Sequence, residues 1–148
     1  MSTFNFTKGP GKVDWLNVVR ADGTRERIDC PKQRIIPHDM VHYIVEREIG
    51  ARGFMSRVRD GEAASFAMIG DAESDGIERL VEVVQADAWS GGSDDAAFID
   101  LYRVTCDARD CQPLPIDASA VRTIRARIAA LQATWDALPV GATLTLDH

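Results

Sequence analysis

Two histidines four residues apart, with an acid after the first and another four residues past the second, stand out in the stretch Ile35–Gly50, IIPHDMVHYIVEREIG. Pro37 suits the first helical position, where its missing N–H costs nothing, and Gly50 is a natural stop. A helix between them turns about 100° per residue. His38, His42 and Glu46 then lie at i, i+4 and i+8 along one flank, while Met40, Val41, Ile44, Val45 and Ile49 form the arc that faces a core. Imidazoles four apart on a helix can share one divalent metal, zinc being the usual choice, and a carboxylate one turn on can supply a third ligand. Asp39 follows the first histidine, where zinc hydrolases with a paired-histidine helix carry a glutamate general base. On this reading His38, His42 and Glu46 are the metal ligands, and Asp39 is the catalytic residue that orients a ligand or activates water. The competing reading is structural. Asp39 suits the positive end of the helix dipole, His42 is a hydrogen-bonded histidine at the core rim, and Glu46 is a solvated residue beside Arg47.

Composition bounds these readings. The chain has 148 residues, which makes one domain over 1–148 the default, long enough to bury a core without a disulfide or metal. It is 45% hydrophobic and 27% charged, ordinary for a globular protein. The net charge of −6 argues against nucleic acid and against an anionic membrane surface as partner. No apolar run is long enough to span a bilayer, and MSTFNFTKGPGK has no signal-peptide core, so the expected location is the cytoplasm. Cys30, Cys106 and Cys111 are expected there as reduced thiols. Cys30 reads as a packing residue, the other two as loop or helix-end thiols.

The remaining elements must position the helix. Thr3–Thr7 reads as a short edge strand, and Val13–Arg20 as a strand covered on both faces. Asp22-Gly23 is a hairpin signal before a returning strand, Arg25–Cys30, with Ile28 and Cys30 on one face. After Gly50 a short helix falls within 51–60. The segment 62–69 is ambiguous, and 70–76 is a polar loop. Asp75 and Glu78 have the spacing of a helix N-cap, opening a helix with Ile77, Leu80, Val81 and Val84 on its apolar side. A further helix runs from Asp94 to about Thr105, with Ala97, Phe98, Leu101 and Val104 inward. The longest follows a cap at Asp117 or Ser119, with the stripe Val121, Ile124, Ile128, Leu131, Trp135 and Leu138. Ala142, Leu144 and Leu146 alternate with polar residues, a half-buried strand returning to the hairpin. Trp15, Trp89 and Trp135 all read as core. His148 reads as a terminal residue rather than a ligand.

The run Pro37-His38-Asp39-x-Val41-His42-Tyr43-x-Val45-Glu46, together with Trp135, Leu138-Pro139-x-Gly141 and Leu144, resembles a group of small bacterial proteins. These carry a P-H-D-aliphatic-V-H segment and end in a short L-P-x-G strand. The resemblance implies a bacterial cytoplasmic protein and carries no activity with it.

The expected architecture is α+β: a small antiparallel sheet from the N-terminal hairpin and C-terminal strand, packed against about four helices. Two function classes follow. A non-catalytic interaction or regulatory domain, binding a protein or small molecule, asks least of the sequence, which has no nucleophile elbow, phosphate loop or dinucleotide fingerprint. The alternative is a small metal-dependent hydrolase working from the His38/His42/Glu46 flank. Partner identity and oligomeric state are not encoded in any motif.

Overall fold

The computed structural model describes residues 2–50, 54–60 and 72–147. The segment 62–69 and His148 lie outside the described residues. The fold is α+β, in the order β1 (Thr3–Thr7), β2 (Val13–Val19), β3 (Arg25–Pro31), α1 (His38–Ile49), α2 (Phe54–Arg59), α3 (Ala72–Ser90), α4 (Asp95–Ala108), α5 (Ala118–Ala137) and β4 (Thr143–Asp147). The strands form one antiparallel sheet, β3-β2-β1-β4.

The N-terminal strand is interior, not the edge that its short length suggested. β4 returns to pair with its free side, Phe6 opposite Leu144 and Phe4 opposite Leu146, and becomes the edge itself. β2 alternates, contrary to the expectation of a strand covered on both faces. Asp14, Leu16 and Val18 are buried on one face, while Val13, Trp15 and Val19 are only partly covered on the other. Asp14 is an inward acid among apolar residues. It stays because Gly9 N–H and the Lys32 ammonium bond to it at 2.9 and 2.8 Å. Phe4, Phe6, Leu16, Val18 and Cys30 thus make one apolar face, and the helices cover it. α1 lies against this face, with the Tyr43 ring edge-on to Phe4. Tyr43 Oη and the Arg47 guanidinium both bond to the Asp147 carbonyl and tie α1 to β4.

α1 starts one residue later than the sequence pattern indicated. Pro37 is the extended N-cap, with its carbonyl accepting from Met40 and Val41, and Asp39 makes no capping bond. Gly50 ends the helix in the left-handed region, φ 71°, its N–H returning to the Glu46 carbonyl. α3 begins earlier than expected: Ala72 to Gly76 are helical, so Asp75 and Glu78 are interior residues rather than a cap. Gly76 permits a close approach here. A β-carbon on it would sit 3.0 Å from Leu114 Cγ and 3.2 Å from the Gln112 carbonyl. α4 and α5 are capped by Asp94 and Asp117, each accepting from the N–H three residues on. α4 is rotated from its anticipated orientation. Phe98, Tyr102 and Cys106 face inward, while Leu101 and Val104 face solvent, 48% and 63% exposed. The aromatic Tyr102 wins the core because its hydroxyl finds partners there, donating to the Gly76 carbonyl and accepting from Leu114 N–H. Trp135 is buried as expected; Trp89, at the exposed end of α3, is not. Among the described residues no helix is long and apolar enough to cross a membrane.

Candidate metal centre

The site is built where α1 crosses α3. Four-residue spacing on α1 stacks the two imidazoles, ring centroids 4.7 Å apart and nearly perpendicular, with their Nε2 atoms 3.1 Å from one another. From α3, Glu78 reaches the same point. Its Oε2 lies 3.3 Å from His42 Nε2 and its Oε1 3.9 Å from His38 Nε2. One donor atom from each of His38, His42 and Glu78 falls within 4.8 Å of the other two. Tetrahedral zinc with bonds of about 2.0–2.1 Å separates its donors by about 3.3 Å. The His38–His42 and His42–Glu78 spacings approximate edges of such a polyhedron, while the His38–Glu78 approach, through the other carboxylate oxygen, is longer. The cluster is closed on one side and open on the other: the His42 side chain is 2% exposed, Glu78 28% and His38 43%.

Glu46 does not converge on that point. Its carboxylate lies on the far side of His42 and accepts from Met55, Ser56 and His42. Oε1 accepts from Ser56 N–H and Ser56 Oγ, each at 2.8 Å. Oε2 accepts from Met55 N–H at 3.0 Å and from His42 Nδ1 at 3.3 Å. The residue that spacing marked as a third ligand thus ties the first turn of α2 to α1 and holds the His42 ring from behind. Glu78 takes the place that converges with the two histidines. The sequence reading used Glu78 as a capping residue, and nothing local distinguishes that role from a ligand on a distant helix. Asp39 sits beside Cys30, whose Sγ is 3.6 Å from Asp39 Oδ2. Its charge is felt by both histidines, but it is not one of the three converging groups.

The electrostatics follow from this geometry. Burial alone would lower the His42 pKa, but hydrogen bonds and charge from Glu46 and Glu78 overcome it and raise it to about 9. Burial would raise the Glu46 and Glu78 carboxyls; in each the hydrogen bond and charge of His42 outweigh it and hold the group below its usual value. Burial pushes Asp39 up, against the pull of His42 and His38. Without a metal, then, His42 is an imidazolium clasped between two carboxylates at neutral pH. A metal at the open side would replace the His42 proton on Nε2 and leave the one on Nδ1 bonded to Glu46. That is the carboxylate–histidine–metal arrangement that fixes a ligand's tautomer.

No family model, no curated protein and no solved structure matches this chain.

Proposed function

We propose that this protein is a divalent-metal protein of the hydrolytic kind, with His38, His42 and Glu78 as ligands. The observation that supports this best is the convergence of two imidazoles and a carboxylate on a partly open point between α1 and α3. Two histidines and a glutamate, with a position left for water or substrate, are a donor set of catalytic zinc sites. When bound, the metal supplies Lewis-acid polarisation and lowers the pKa of a water molecule toward neutrality. The remaining work belongs to the chain. Glu46 orients His42 and keeps its Nδ1 protonated. Ser56 and Met55 in turn hold Glu46. Asp39, whose carboxyl burial pushes up and whose charge bears on both histidines, is the candidate second acid–base group.

The test is calorimetric titration of untagged, chelator-treated protein with zinc. Binding near one equivalent per chain, abolished in His42→Ala and Glu78→Gln, supports the assignment. Absence of binding, or binding that survives both substitutions, removes it.

A second reading, a protein-interaction domain, is favoured by a different feature. Ala97, Leu101 and Val104 form a stripe at helical spacing on the exposed side of α4. Soluble proteins leave such residues exposed singly more often than in rows. Charge substitution on this stripe that leaves zinc binding intact but abolishes association with a cellular partner would favour this reading; an unchanged association profile would dismiss it.

A further inference from the structure

α4 ends in a turn closed by two thiols. Cys111 N–H donates to the Cys106 carbonyl at 3.0 Å, and Asp110 between them takes the left-handed region, φ 51°. This is the pattern of a Schellman motif. In that motif the donating and accepting residues lie side by side, and their side chains ordinarily make an apolar contact. Here both are cysteines, and the backbone bond between them places the two side chains on neighbouring positions of the turn. Cys106 is fully buried and Cys111 partly exposed. Cys30 is elsewhere, on β3, with the Ile28 carbonyl and the Asp39 carboxylate as its polar neighbours.

We propose that Cys106 and Cys111 form a peroxide-oxidation site that closes reversibly to an intrachain disulfide. Cys111 is the reactive member because a small oxidant reaches it. Its thiolate attacks one peroxide oxygen: an S–O bond forms, the O–O bond breaks, and the released hydroxide leaves as water after taking a proton. The Cys111 sulfenic acid then meets Cys106, which is walled from solvent and lies next to it across the turn. The Cys106 thiolate attacks the Cys111 sulfur, the S–S bond forms, the S–O bond breaks, and hydroxide departs with the proton that Cys106 gave up, as a second water. Both sulfurs are oxidised and both peroxide oxygens reduced. Burial, with Cys111 beside it, pushes the Cys106 thiol up to about 11. The bridge would lock the end of α4 and the start of the segment through Gln112 and Leu114 that packs against Gly76 on α3.

The experiment uses the full chain, freed of metal, treated with hydrogen peroxide and quenched. Titratable thiols in the unfolded chain should fall by two from the three that the sequence provides, with loss of two hydrogens in mass. Digestion should yield a peptide joining Cys106 to Cys111, and dithiothreitol should reverse all three changes. Cys30→Ser should lose both its thiols in the same way, and Cys111→Ser should form no intrachain bridge. Retention of all three thiols, over-oxidation of Cys111 with Cys106 left reduced, or a Cys111–Cys111 bridge between chains would each overturn the proposal. Should Cys111→Ser fail to fold, the mapped peptide from the wild type and from Cys30→Ser decides alone.

Discussion

Replacing Glu46 by glutamine removes one charge and one acceptor from a carboxylate that accepts from Met55, Ser56 and His42. If the amide oxygen stays with Ser56, the amide NH2 faces Met55 N–H, donor against donor. His42 can then bond to it only by accepting at Nδ1, which moves its proton to Nε2, the atom that points at His38 and Glu78. If the amide lies the other way, the Met55 and His42 bonds survive and Ser56 N–H is left without its acceptor. Either orientation orphans one buried backbone donor, a loss of about 1–3 kcal/mol. Either also weakens His42 as a ligand, through the wrong tautomer or a less basic ring, by about 10- to 100-fold in metal affinity. Urea denaturation in chelator measures the first effect and zinc calorimetry the second. Glu78→Gln should show the reverse balance: no backbone donor is orphaned, so the stability loss is confined to its share of the His42 ion pair, and the metal is lost. If Glu46→Gln matches the wild type in both assays, or abolishes metal binding while Glu78→Gln keeps it, the roles assigned to the two glutamates are wrong.

Other consequences follow from the same interactions. The folded His42 pKa, about 9, stands above its ordinary 6.5. The stability it contributes to the metal-free protein is therefore complete below 6.5 and lost as pH rises through 9, an amount of about 3 kcal/mol. Denaturation midpoints in chelator should fall across that window, and His42→Ala should flatten the profile. Because the metal displaces the His42 proton, zinc affinity should rise about tenfold per pH unit up to about 9, with close to one proton released per ion at pH 7, measured by calorimetry in buffers of different ionisation enthalpy. Tyr102→Phe leaves the Gly76 carbonyl and Leu114 N–H without their partner and should cost about 1–3 kcal/mol in urea denaturation. On the exposed side of the same helix, Leu101→Lys should stay within about 0.5 kcal/mol of the wild type.

Much of the frame was legible because local rules decided it. Gly50 ends α1 in the conformation that glycine favours, Asp22-Gly23 turns the hairpin, and the stripe of Val121, Ile124, Ile128 and Trp135 faces the core. What was not legible depended on partners far along the chain. β1 is interior only because β4 comes back to it. α4 turns Tyr102 inward because the carbonyl of Gly76 and the amide of Leu114 await its hydroxyl, which no periodicity of α4 reports. The candidate site shows the same limit. The four-residue spacing of His38 and His42 was readable, since one helix fixes both. Glu46 looked equivalent to a third ligand on that helix, yet α2 claims its oxygens. Glu78 comes from a helix whose start lies three residues before Asp75, and only the packing of α3 on α1 brings it to the histidines.

Cobalt(II) reports the coordination of such a centre directly through its visible absorption. Titrated into the untagged, metal-free chain, one equivalent should develop the intense bands of a tetrahedral or five-coordinate ion with nitrogen and oxygen donors. Zinc should displace them, and Glu78→Gln and His38→Ala should fail to produce them. A spectrum no stronger than that of hydrated cobalt, or one that both variants reproduce, would contradict a metal centre built from His38, His42 and Glu78.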